Sequence, residues 1–233
     1  MRARLALIFG LLLVLAYVFP PAAAQAPRPS SPMILALGST SWLNATDVQA
    51  ATGAVVRQDL GQFQLKDFVV IVLANVAFTS LPGPVQQGLV DYVTNGGAVL
   101  ITGGTQSFGS GGYQAVESII PFRMRYPNDW TFAAFRFPVP LQAGHPILAG
   151  VSFISVGALN NMDPRPDAVE ILQKGAGGVA GFINPLIAEV SAGAGRVIGI
   201  AFDLNDHAGM RDRDLFVRNT MGYLLRASRM GRG

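Results

Sequence analysis

VLITGGTQSFGSGGY, residues 99–113, is the stretch whose reading decides the fold. It begins as an apolar, β-prone run and breaks directly into a glycine-rich loop. Upstream, FVVIVL at residues 68–73 has the length and composition of a strand buried on both faces. Between the two runs, Val85, Leu89, Tyr92 and Val93 recur at helical spacing, with Gln86, Gln87 and Asp91 on the opposite face. Thr79 or Ser80 can cap this helix, Pro82 and Pro84 suit its first turn, and Gly96 suits its end. Strand, helix and strand within about 35 residues form a βαβ unit with parallel neighbouring strands. Ligands of open α/β sheets sit beyond the carboxyl ends of the strands, so the loop 103–113 is where a site is expected.

Outward from that unit, MILAL at 33–37 reads as a buried strand, 47–52 as a short helix and 54–56 as a second strand. Residues 115–120 read as a short helix stopped by Pro121. The aromatic, proline-interrupted stretch 122–140 reads as antiparallel edge strands or a flap. Residues 168–173 read as a strand. The segments 186–190 and 196–202 flank SAGAG, a hairpin signal. Residues 215–225 close the chain as an amphipathic helix with Leu215, Phe216, Thr220, Tyr223 and Leu224 inward. The sequence contains no internal repeat.

The two ends read differently. Residues 1–24 run basic, apolar, small, the layout of a secretory signal peptide cleaved near Gln25 or Pro27. The alternative is an uncleaved anchor, but the apolar stretch falls short of the roughly 20 residues that span a bilayer. Residues 25–32 form a proline-rich leader, 33–225 the folded domain and 226–233 a basic tail. The expected location is periplasmic or secreted, with no stable membrane span after cleavage. Without Arg2 and Arg4, the 17 basic residues fall to 15 against 14 acidic ones, and three of the 15 lie in the tail. The body is therefore slightly acidic and offers no case for nucleic acid. The chain has no cysteine, which excludes disulfides, thiolate metal sites and a cysteine nucleophile together.

Residues 89–113, LVDYVTNGGAVLITGGTQSFGSGGY, resemble the glutamine amidotransferase-like domains of bacterial exported and envelope proteins. Three further segments resemble the same family in the same order: FVVIVLANV at 68–76, HPILAGV at 145–151 and GAGRVIGIAFDL at 193–204. The resemblance implies an α/β, flavodoxin-like three-layer sandwich with a mainly parallel sheet and added antiparallel edge strands. It also implies an elbow, G-x-C-x-G, after the strand that follows the central helix. Here that position reads ITGGT, with Gly103 where the nucleophile would be. The acyl-enzyme chemistry the resemblance would imply is therefore absent.

Ser107 and Thr105 are nearby hydroxyls, but a hydroxyl nucleophile needs a positioned base. Of the two histidines, His145 precedes a proline and reads as a turn. His207 follows the last strand, beside Asp203 and Asp206, where catalytic relatives place their histidine. Asp203, Asn205, Asp206, Asp212 and Asp214 are oxygen donors without the spacing of a calcium loop. The loop 103–112 has no phosphate-binding fingerprint, so no cofactor and no metal are expected. The expectation is a non-catalytic binding or scaffold module for an envelope protein or small ligand. Its rim would be built from Gly103, Gly104, Gln106, Ser107, Phe108, Tyr113, Asp203 and His207. Phe108 and Tyr113 are weighed both as exposed anchors and as buried pins. The rival expectation is a hydrolase or amide-processing enzyme using Ser107 or Thr105 with His207.

Overall fold

The apolar runs become adjacent strands of one sheet. A computed structural model describes residues 31–135, 139–152, 156–174, 185–206 and 211–228. Its first half is β1 (Met33–Gly38), α1 (Ala45–Thr52), β2 (Val55–Arg57), β3 (Val70–Ala74), α2 (Gly83–Thr94) and β4 (Ala98–Thr102). There follow β5 (Phe122–Met124), β6 (Trp130–Phe135), β7 (Val139–Pro140), β8 (Val156–Asn160) and β9 (Met162–Pro164). The chain closes with β10 (Val169–Gln173), β11 (Pro185–Ala192), β12 (Gly195–Ile200) and α3 (Arg213–Ala227).

Among the described residues, eight strands form one sheet in the order β2-β1-β3-β4-β12-β11-β10-β7. β2, β1, β3, β4 and β12 pair in parallel, and the remaining pairs are antiparallel. The expected βαβ unit is present: β3 pairs β4 in parallel, Val70 opposite Ala98 and Ala74 opposite Thr102. The result is a mixed α/β fold of flavodoxin-like kind, with a mostly parallel sheet and antiparallel edge strands.

Every residue of β3 and β4 is buried. Successive side chains go to different core clusters, as the two-residue period of a strand requires. Val70, Val72, Ala98 and Leu100 join Phe216, Val217, Met221 and Leu224 of α3. Ile71, Leu73, Val99 and Ile101 join Val85, Leu89, Tyr92 and Val93 of α2. Each large side chain so buried contributes about 1.5–3 kcal/mol before chain entropy is subtracted.

Local details depart from expectation. α2 has Pro82 at its N-cap and no side-chain cap, so neither Thr79 nor Ser80 fills that role. Pro84, the second helical residue, has no N–H for a capping side chain to accept. Residues 113–119 form a 3-10 turn rather than an α-helix. In α3, Val217 and Met221 are buried while Leu215 and Tyr223 are only half-buried, a slight rotation of the expected face. β8 and β9 were not expected at all; they pair antiparallel with β6 and β5 to make two short ribbons beside the main sheet.

His145 caps the turn Pro146–Leu148, its Nδ1 accepting the Ile147 N–H at 3.4 Å. The imidazole packs edge-on against Tyr223, ring centroids 4.8 Å apart. Glu189 accepts hydrogen bonds from Arg196 at 2.9 Å and from the Tyr223 hydroxyl at 2.8 Å, and lies 3.7 Å from His145 Nε2. Burial lowers the His145 pKa and outweighs the pull of the nearby Glu189 carboxylate. Burial likewise pushes the Tyr223 phenol up to about 12. A histidine held neutral in the fold but free to charge in the unfolded chain makes acidification destabilising. Stability from this site is complete above the ordinary histidine range and declines as pH falls through it. In denaturant titrations, His145→Asn, which keeps a capping acceptor, should flatten that part of the stability–pH profile.

Candidate functional site

β1, β3, β4 and β12 run parallel, so the segments that leave them meet along one rim. Asn75 follows β3 with φ of 41°, a left-handed conformation that asparagine tolerates better than most side chains. Its Oδ1 accepts the Gln106 N–H at 2.9 Å, and its Nδ2 donates to Asp203 Oδ2 at 2.9 Å. Asp203 Oδ1 in turn accepts the Asn205 N–H at 2.8 Å and the Asn205 side chain at 3.0 Å. Asn205 reaches on to the Ser39 carbonyl at 2.9 Å and accepts from the Ser41 hydroxyl. Side-chain amides and one carboxylate thus join the loops after four different strands.

The glycine-rich loop is held from inside. Asp129, 2% exposed, accepts the N–H groups of Gly109 at 2.9 Å and Ser110 at 3.1 Å, and the Ser110 hydroxyl at 3.0 Å. It also accepts the Asn160 Nδ2 at 2.7 Å. Asn160 is fully buried; its Oδ1 accepts the Gly104 N–H at 2.9 Å. Its Nδ2 further donates to the carbonyls of Gly104 at 3.2 Å and Ser107 at 3.4 Å. Two glycines make this approach possible. A Cβ on Gly103 would lie 2.4 Å from the Ala201 carbonyl oxygen and 2.7 Å from Asn160 Oδ1. Gly104 has φ of 144°, and a Cβ there would meet the Asn75 side chain at 2.1 Å.

Of the expected rim, Gln106 is exposed and Asp203 half-buried. Ser107 is fully buried, and its hydroxyl donates to the Thr102 carbonyl at 2.6 Å. That hydroxyl closes the turn and faces no solvent, which removes Ser107 from the surface and from the role of an accessible nucleophile. Phe108 and Tyr113 are also fully buried, in contact with Phe122 and Phe78, so both act as pins. Phe108 keeps a φ of 49° that a bulky residue rarely adopts; its ring packing and two N–H groups on its carbonyl hold it there. Tyr113 donates its hydroxyl to the Val76 carbonyl at 2.9 Å, and burial raises its pKa. Gly103 and Gly104 are buried beneath the rim, and Thr105 is exposed upon it. His207 lies outside the described residues.

Asp129 and Asn160 escaped the sequence reading. Both sit in polar pairs, Asn128-Asp129 and Asn160-Asn161, that read as turn chemistry rather than as a buried network. Of the five oxygen donors noted near the end of the chain, Asp203 and Asn205 bond to each other, while Asp212 and Asp214 have other partners. Asp212 accepts from Ser152, and Asp214 pairs with Arg213 at 3.4 Å. Among the described residues, no three metal-ligating side chains gather.

No protein-family model matches the sequence, and comparison with curated proteins gave no match. Solved structures do match. A cytoplasmic protein of Salmonella typhimurium LT2 aligns with a TM-score of 0.64 at 14% identity, over 84% of this chain and all of that one. A second Salmonella typhimurium cytoplasmic protein aligns at 0.60 and 17% identity, over 82% of this chain and 98% of its own. A ThuA-like protein of Bacteroides uniformis aligns at 0.57 and 13% identity, over 91% of this chain and 98% of its own. ThuA-like proteins have the class I glutamine amidotransferase-like fold, and at these identities the likeness is one of fold.

The core and rim roles separate by mutation. Phe108→Ala should cost about 3–5 kcal/mol in denaturant unfolding, as expected for an aromatic removed from a packed interior. Gln106→Ala should stay within about 0.5 kcal/mol of the parent, as exposed positions do.

Proposed function

We propose that this chain is an exported, non-catalytic amidotransferase-like domain that serves as a binding or scaffold module in the bacterial envelope. On this reading its helices cover both faces of the sheet in a three-layer sandwich. One observation carries the loss of catalysis. The nucleophile position is Gly103, and the space a side chain would need there is taken by the Ala201 carbonyl and the Asn160 amide. A nucleophile must stand clear of the backbone to reach a substrate. The contact surface is the carboxyl-end rim, where Thr105 and Gln106 stand exposed above Asp203 and Asn205. Its partner is an envelope protein or a small ligand that exchanges hydrogen bonds with the exposed Thr105 hydroxyl and Gln106 amide. Export rests on the basic, apolar, small order of residues 1–24. No helix among the described residues is long and apolar enough to cross a membrane. The two Salmonella proteins are described as cytoplasmic, which is a statement about those proteins.

The purified protein should release no ammonia from glutamine. Release that disappears in Thr105→Ala or His207→Ala would overturn the reading in favour of a hydrolase. Gly103→Cys should restore no activity and should lower stability by about 1–3 kcal/mol, the usual cost of overpacking. N-terminal sequencing of the exported protein should begin near Gln25 or Pro27. Recovery of the full-length chain in the membrane fraction would argue instead for a retained anchor.

A further inference from the structure

The Asn160 side chain is bonded as a bound ligand would be. A primary carboxamide offers one carbonyl oxygen and two N–H donors. Here the oxygen takes the Gly104 N–H at 2.9 Å, while the amino group faces the Gly104 carbonyl, the Ser107 carbonyl and Asp129 Oδ1 at 3.2, 3.4 and 2.7 Å. The group is fully buried, and the residue carrying it comes from β8, far from the loop in sequence. Gly104 is the residue after the elbow position. In elbows of this type the N–H of that residue is the donor offered to an acyl oxygen.

The geometry points to a carboxamide-binding pocket inside the elbow, occupied in this protein by its own Asn160. The pocket selects by charge as well as by shape. One wall presents a single N–H, and the other presents two carbonyls and the Asp129 carboxylate. An amide meets that pattern with both ends. A carboxylate of the same shape would set an anionic oxygen against Asp129 and two carbonyl oxygens, which is repulsive. Asn160 therefore withholds the elbow donor from any external acyl group. A variant lacking the side chain should accept a free primary amide in its place. The inference stands apart from the rim as a docking surface, because the pocket lies beneath it.

Asn160→Gly deletes one acetamide equivalent. Acetamide should raise the melting temperature of this variant saturably by a few degrees, as a ligand of the folded state does. The wild-type protein should show no saturable shift, and acetate should not substitute for acetamide. Equal responses of variant and wild type, or equal rescue by acetate, would overturn the proposal. If Asn160→Gly does not fold in buffer, its refolding yield provides the same comparison. Recovery in acetamide but not in acetate supports the pocket, and no recovery in either counts against it. The wild-type protein gives an independent reading. A trans-hydrogen-bond NMR coupling between the Gly104 amide nitrogen and the Asn160 side-chain carbonyl carbon should be present; its absence would show that Asn160 does not hold the elbow donor.

Discussion

Where β4 ends, the chain leaves its ladder while still inside the protein, and its backbone N–H groups need acceptors there. Buried peptide donors without partners cost about 1–3 kcal/mol each. Asp129 meets this requirement for Gly109 and Ser110, and Asn160 meets it for Gly104. Asp129 immediately precedes β6 and Asn160 ends β8, so the ribbon these strands form is more than an ornament at the edge of the sheet. It supplies the polar interior of the glycine-rich loop. Around that interior, the rings of Phe108, Tyr113, Phe78 and Phe122 close the apolar side.

The rim above the loop follows the same logic at lower burial. Asn75 takes a left-handed backbone so that one amide can bridge the Gln106 N–H and the Asp203 carboxylate. Such a conformation persists where surrounding bonds fix it. Asp203 is thereby committed to Asn75 and Asn205, a structural use of the acid that reads in sequence as a free carboxylate beside His207. Among the described residues, Ser41, Thr105 and Gln106 present two hydroxyls and one amide outward.

The parallel core was legible because its signals are local. Apolar runs of five or six residues, one helix with a clear buried stripe, and glycines at the breaks dictate β3, α2 and β4. The hairpin of β11 and β12 announced itself through its loop. The network inside the loop was not legible, since its members lie far apart in sequence and each alone has the composition of a turn. The pairing of residue 104 with residue 160 depends on how two ribbons fold back over the sheet, which no window of sequence contains. Ser107 misled for a related reason: a serine in a glycine-rich loop looks exposed until its hydroxyl is seen to donate to the buried Thr102 carbonyl.

The pairing of β4 with β12 brings Ala98 opposite Arg196 at the centre of the sheet. Joining strands about 100 residues apart carries a large loop-closure entropy, and contacts of that range slow folding. The strands β1 to β4 and α2, by contrast, meet through short connections. The amino-terminal half can therefore assemble around its own contacts while the centre of the sheet still has an open side. Until β12 arrives, β4 is a bare edge of four apolar residues and a threonine, exposed to pairing with another nascent chain. The time spent in that state is set by the long excursion from β5 to β11, which makes the insert a determinant of folding yield as well as of the finished surface.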